Sequence, residues 1–200
     1  MVYNPVNKLD KELTSDEIID RLAGGDRTKG SCVSLSLAYA GNKCGFDVLD
    51  FRGGKSQTVF SRYSNMEKTL RAANAKIEIF EASEEVKQAK KVLKNLALDK
   101  EYILAAGKHA TIIRKTEEYG LQFLELQSPA TNGWAPFESE DMSISKTLMK
   151  RFGCRKYYSG SKLYLIDVDS VQATDEFRDI IGYINTELGK QKKGSDGSIK

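Results

Sequence analysis

The segment from Val33 to Ala40 constrains the fold of this 200-residue chain most, because it leaves few polar positions. Its apolar residues are Val33, Leu35, Leu37, Ala38 and Ala40. This composition predicts a helix that is buried on most of its sides. We expect Gly41 and Asn42 to end the helix, because both tolerate the left-handed conformation of a helix stop.

Cys32 stands directly before this segment, in the expected first turn of the helix. Free backbone N–H groups and the positive end of the helix dipole point outward there. They lower the pKa of a thiol, and they can bind an oxyanion. We therefore predict that the helix start at Ser31–Cys32 binds the oxyanion. Gly30 lets another chain approach closely, because it has no side chain. Cys32 is therefore a candidate nucleophile, although most cysteines in such chains are inert packing residues.

His109 is the only histidine of the chain, and it opens a predicted strand after Gly107 and Lys108. A cysteine at a helix start and a histidine at a strand start form the arrangement that a thiol–imidazole pair requires. We therefore predict Cys32 as the nucleophile and His109 as the general base, later the general acid.

Two residues of the following strand are candidates to orient the imidazole. Glu125 and Gln127 are two positions apart, so they project to the same face of a strand. If the turn centres near Glu118, the numbers of facing residues sum to about 236. Gln127 then lies opposite His109, and Glu125 lies diagonally. The residues leave both candidates open.

The hydrophobic pattern predicts an α+β fold, with one domain over residues 13–188, a loosely ordered segment 1–12 and a disordered basic tail 189–200. We predict helices capped by Thr14, Ser56 and Ser83, and helices over Cys32–Ala40, Ser143–Phe152 and Asp175–Leu188. We predict strands over Phe46–Phe51, Lys76–Glu81, Tyr102–Ala106, His109–Lys115, Leu121–Gln127 and Leu163–Val168.

Composition excludes several classes of function. The net charge is +3, and the tail at 190–200 accounts for it, which leaves 27 basic and 27 acidic residues elsewhere. We therefore expect no nucleic-acid partner. Cys32, Cys44 and Cys154 are widely spaced and accompany a single histidine, so we expect no structural zinc site. The predicted thiol–imidazole chemistry implies no metal and no organic cofactor. We find no signal peptide and no membrane segment, and we expect a reducing cytosol as the site of action.

Three short motifs resemble those of the papain-fold toxin domains of bacterial polymorphic toxins. Gly30–Cys32 with its helix and Gly45–Val48 is similar to the first motif of this family, and Gly107–His109 to the second. Glu125–Ser128 is similar to the third, which is usually Asp-x-Gln followed by Ser or Thr.

The resemblance implies a papain-like fold, with the cysteine helix packed on a small antiparallel sheet, and a Cys–His–Asp/Asn/Gln site. It implies a peptidase or glutamine deamidase that acts on a protein substrate through a thioester, is delivered into a target cell by a secretion system and is bound by an immunity protein. The family motif favours Glu125, but glutamate replaces the usual aspartate, which leaves the role open to Gln127. The glutamine that precedes the cysteine in papain is absent, so backbone N–H groups would bind the oxyanion.

Peptidases, deamidases, transglutaminases and deubiquitinases share this constellation, so the reaction stays open. The alternative from another class is a non-catalytic protein-interaction module on the same fold, with Cys32 and His109 as remnants. The sequence alone does not determine the oligomeric state.

Overall fold

The computed structural model describes residues 3–22, 32–49, 59–126, 133–157 and 160–185. Their contacts divide the chain into two compact units. The first consists of the described parts of Met1–Ala75, Glu125–Gly133 and Asp169–Lys200, and the second of those of Lys76–Leu124 and Trp134–Val168. The single domain over 13–188 stays a prediction, and the tail 189–200 lies outside the described residues.

The described ranges contain six helices: α1 (Ser15–Leu22), α2 (Cys32–Lys43), α3 (Tyr63–Ala72), α4 (Glu85–Lys94), α5 (Ile144–Lys150) and α6 (Asp175–Ile181). They contain eight strands: β1 (Asn7–Lys8), β2 (Phe46–Asp47), β3 (Ile77–Ala82), β4 (Glu101–Ala106), β5 (His109–Thr116), β6 (Gly120–Glu125), β7 (Gly133–Pro136) and β8 (Ser161–Asp167). The strands β1 and β2 form a two-stranded antiparallel sheet, and the others form an antiparallel sheet of order β3-β8-β4-β5-β6-β7. The predicted α+β class is confirmed. Within these ranges, no helix is long and apolar enough to cross a lipid bilayer.

The first unit is built around α2, which contacts α1, α3, α6 and β2. All ten residues from Val33 to Asn42 are buried, as the apolar composition predicted. The predicted stop at Gly41 and Asn42 is wrong, because the helix continues to Lys43.

Tertiary contacts explain why α2 passes through these two residues. A Cβ at Gly41 would lie 3.1 Å from both Val48 and Ile181, so the glycine lets both side chains pack closely against the helix. The Asn42 amide donates hydrogen bonds to the carbonyl oxygens of Ala38, at 2.8 Å, and Val48, at 2.7 Å. Asn42 therefore holds the following segment against the helix instead of ending it.

The helix α1 begins with the predicted capping box. Thr14 Oγ1 accepts a hydrogen bond from the Glu17 N–H at 3.2 Å, and Glu17 Oε2 accepts one from the Thr14 N–H at 2.9 Å. A hydrogen bond from Lys11 and the one from Thr14 hold the pKa of Glu17 below its usual value. Two otherwise unpaired N–H groups of the helix start are thereby satisfied.

Several predicted boundaries are wrong. The N-cap of α4 is Glu84 instead of Ser83, and no side chain caps it. The helix α5 ends at Lys150 instead of Phe152. The described part of the strand predicted from Phe46 covers two residues, and the predicted cap Ser56 lies outside the described residues.

The helix α6 ends at Ile181, earlier than predicted, because the next residues bind the N-terminal segment. The Asn4 N–H donates to the Gly182 carbonyl oxygen at 2.9 Å. The Asn185 side chain accepts from the Leu49 N–H at 2.9 Å and donates to the Pro5 carbonyl oxygen at 3.0 Å. The segment predicted to be loosely ordered therefore makes specific contacts in its described part.

The strand register of the second unit agrees with the prediction. In the β5–β6 hairpin, pairs from Ile113↔Phe123 to Thr116↔Gly120 have residue numbers that sum to 236. The helix α4 packs against β3, β8 and α5. The strand β6 ends at Glu125, before the predicted end at Gln127.

Candidate functional site

Cys32 is the first residue of α2 and is half-buried. Its carbonyl oxygen accepts a hydrogen bond from Ser36 Oγ at 2.9 Å, within the first turns of the helix. The ten residues that follow are buried, so the helix start is attached to the core of the first unit. The thiol therefore belongs to a firmly packed element whose positive dipole end lies beside it.

The other two cysteines have properties of inert thiols. Burial raises the pKa of Cys44 to about 12. Burial, with a smaller effect of the Glu85 carboxylate, raises the pKa of Cys154 to about 12 as well. Because the thiolate is the nucleophilic form, the raised pKa disfavours the reaction of either thiol near neutral pH.

His109 follows a two-residue turn, because Ala106 and His109 face each other in the β4–β5 ladder. Gly107, the first turn residue, has a φ of +59°. A Cβ there would lie 2.5 Å from the Phe152 carbonyl oxygen and 2.7 Å from the Cys154 nitrogen. The Lys108 N–H donates to the same Phe152 oxygen at 2.7 Å. The turn is thus held against the segment after α5, and only glycine fits its first position.

The imidazole of His109 packs on buried aromatic rings. It meets the ring of Phe152 edge to face, with the centroids 5.4 Å apart. Phe152 in turn stacks on Phe137 at 5.6 Å and contacts Phe123 at 5.9 Å. The sequence pattern predicts Phe152 only as the end of a helix, and the contact with His109 was not predicted. No local sequence pattern relates Phe152 to His109, so no signal in the sequence could have revealed this contact.

Glu125 is the last residue of β6 and is half-buried. Directly before it, the Leu124 carbonyl oxygen accepts a hydrogen bond from Thr111 Oγ1 at 2.5 Å, which attaches this end of β6 to β5. Gln127, Gly30 and Ser31 lie outside the described residues. The choice between Glu125 and Gln127 and the oxyanion role of Ser31 therefore stay predictions.

Cys32 and Glu125 belong to the first unit and His109 to the second, so the pairing of thiol and imidazole also stays a prediction. Among the described residues, no group of three or more His, Cys, Asp or Glu side chains could hold a metal ion. No protein-family model, curated protein or solved structure matches the chain.

Proposed function

We propose that this protein is a cysteine hydrolase or deamidase that attacks a peptide or carboxamide carbonyl with the Cys32 thiolate. The observation that carries the proposal is the contrast among the three cysteines. Cys32 and Cys44 are both half-buried, but Cys32 lies at a helix start, whereas burial raises the pKa of Cys44 and of Cys154 to about 12. A helix start favours the thiolate and offers N–H donors.

In the proposed reaction, His109 takes the proton of the Cys32 thiol, and the sulfur attacks the carbonyl carbon. The resulting oxyanion binds the N–H groups at the Ser31–Cys32 helix start. His109 then protonates the leaving amine or ammonia, which leaves a thioester. Water, activated by His109, attacks the thioester, releases the carboxylic acid and restores the thiol.

The attachment of His109 supports its proposed role as base. An acid–base group must keep its position within a few tenths of an ångström of the reacting atoms. The Gly107–Lys108 turn and the ring of Phe152 restrict where the imidazole can lie. We propose Glu125 or Gln127 as the residue that orients its other nitrogen, as the resemblance implies.

The resemblance to papain-fold toxin domains supports the more detailed part of the proposal. In this part we propose a papain-like fold with α2 packed on the antiparallel sheet, a protein substrate, and delivery by a secretion system into a target cell. We also propose that the protein acts in the cytosol of that cell and that an immunity protein binds it.

The decisive experiment compares thiol labelling and turnover in matched variants. Wild-type protein is treated with iodoacetamide near neutral pH, and the labelled peptides are identified by mass spectrometry. Cys32 should react much faster than Cys44 and Cys154. Cys32→Ser should abolish the modification of a protein substrate, while Cys44→Ser and Cys154→Ser should leave it largely unchanged.

Intact-mass analysis of the substrate separates the two reactions. A mass gain of one dalton indicates deamidation, and fragments indicate cleavage. Full activity of Cys32→Ser would show that the thiol is not the nucleophile. Equal, slow labelling of all three cysteines would favour the non-catalytic interaction module instead.

A further inference from the structure

The helix α4 presents a row of exposed lysines. They are Lys87, Lys90, Lys91 and Lys94. This i, i+3, i+4, i+7 spacing places them on one face of the helix, opposite the buried residues Val86, Ala89 and Leu93. We call these four residues the lysine row.

The lysine row is poorly neutralised. Glu84 approaches Lys87 at 3.9 Å, but among the described residues no carboxylate pairs with Lys90, Lys91 or Lys94. Like charges three and four positions apart destabilise a helix. Some other exposed cations do have partners, such as Arg71 with Glu67 at 2.8 Å. The row therefore carries a repulsion that a bound anion would relieve.

A second group of cations adjoins the row. The segment 144–157, which contains α5, has five exposed basic residues and no acidic one. They are Lys146, Lys150, Arg151, Arg155 and Lys156. The helices α4 and α5 are in contact, and Glu85 Oε2 accepts a hydrogen bond from the Arg155 N–H at 2.6 Å. Lys87 and Lys90 of the row and Lys156 of this segment line the same hollow, and we call these three cations, with the rest of the row, the basic surface.

A hollow of about 330 Å³ lies where the two groups meet. Its polar lining residues are Glu84, Lys87, Lys90, Ser145, Lys156 and Tyr157. The hollow is open to solvent on the side that Tyr157 lines, since this residue is 86% exposed. An aromatic ring of this kind beside several cations is the combination that binds bases and phosphates of a single strand.

We propose that this basic surface is a binding site for single-stranded nucleic acid, with the lysines on the phosphates and Tyr157 stacked on a base. The row extends for about 10 Å at 1.5 Å per residue, which suits successive phosphates better than a single one. The prediction of no nucleic-acid partner came from the overall charge balance, and that balance averages over this local excess of cations. The site is independent of the proposed chemistry at Cys32.

The test is fluorescence anisotropy of the full chain with labelled DNA and RNA single strands of about 20 nucleotides. The double variant Lys90→Gln/Lys156→Gln should weaken binding about tenfold and reduce the slope of log affinity against log salt by about 1.4. Lys8→Gln/Lys68→Gln is the matched control, since it removes the same charge from exposed residues of the first unit. It should change the affinity less than about twofold.

Tyr157→Ala should weaken binding to the strands about tenfold, because a stacked base is lost. It should leave binding of inorganic polyphosphate, which has no bases, unchanged. Tyr119→Ala, which removes another exposed tyrosine (58%), is its control. Binding of DNA and RNA alike, or of RNA more tightly, supports the proposal.

Several outcomes would overturn it. The first is that neither strand binds at low salt. The second is that the two lysine variants lose equal affinity, and the third is that Tyr157→Ala binds as tightly as wild type. Binding to phosphatidylserine vesicles or to an acidic peptide without binding to the strands would assign the surface to another partner.

Discussion

The imidazole of His109 meets the ring of Phe152 edge to face, with the two centroids 5.4 Å apart. The backbone before His109 is attached to the same residue, through the hydrogen bond from the Lys108 N–H to the Phe152 carbonyl oxygen. Both contacts lie within the second unit. One buried phenylalanine therefore positions both the backbone and the ring of the proposed base.

Phe152→Leu should release the imidazole while keeping an apolar side chain. We expect a loss of about 1–3 kcal/mol in unfolding free energy, from the lost ring contacts and the cavity. The His109 ring signals in the NMR spectrum should move, and turnover should fall. Phe177→Leu is the control, because Phe177 is fully buried in the first unit. If both variants lose similar stability but neither moves the His109 signals, Phe152 does not position the ring.

Gly107→Ala should be one of the most damaging small substitutions in the second unit. Its Cβ would lie 2.5 Å from the Phe152 carbonyl oxygen, and the residue has a φ of +59°. We expect a loss of about 2–4 kcal/mol in chemical denaturation, from steric conflict and backbone strain together. Gly120→Ala separates the two causes, since Gly120 has a φ of +64° but no atom within 4 Å of an added Cβ. It should cost only about 1 kcal/mol, the strain alone. Equal costs would mean that the contact with Phe152 is easily relieved.

Features that depend on nearby residues could be predicted from the sequence. The capping box needs only Thr14 and Glu17, three positions apart. The register of the β5–β6 hairpin follows from a short turn that ends at Gly120, which fixes every pair up to Ile113↔Phe123. In both cases the determining contacts are local, so the pattern contains the information.

Features that depend on distant residues could not be predicted. Gly41 looks like a helix stop, but it serves the close approach of Ile181, which is far away in the chain. The support of His109 by Phe152 likewise joins two elements that no local pattern relates. The lysine row of α4 is visible as a spacing, but its significance depends on the contact of α4 with α5.

The stability of the fold should fall as the pH rises from about 9 towards 12. In the folded chain burial raises the pKa of Cys44 and Cys154 from 9.0 to about 12, so both thiols stay protonated, whereas in the unfolded chain they ionise near the lower value. The unfolded state therefore releases protons first, and its free energy falls relative to the folded state as the pH rises through this window. The stabilisation that the two protonated thiols give the fold is fully present below about pH 9. Each thiol accounts for a slope of up to about 1.4 kcal/mol per pH unit.

Urea unfolding from about pH 8 to 11 tests this expectation. Cys44→Ala/Cys154→Ala should be less stable than wild type at the lower pH but should lose less stability as the pH rises. Parallel curves for the two proteins would contradict the raised pKa values.

The last prediction concerns the residue that orients His109. The register predicted from the sequence favours Gln127, while the family motif favours Glu125, and we choose Glu125. A carboxylate stabilises the imidazolium that forms during attack, which an amide does less well. Glu125→Ala should therefore reduce turnover by about two orders of magnitude or more, and Gln127→Ala should cost less.

NMR measures the titration of His109 without ambiguity, because the chain has one histidine. With Glu125→Ala the titration should move to lower pH, since the charged imidazole loses a nearby negative charge. If Gln127→Ala is the more damaging change and Glu125→Ala leaves the titration in place, the site is Cys–His–Gln.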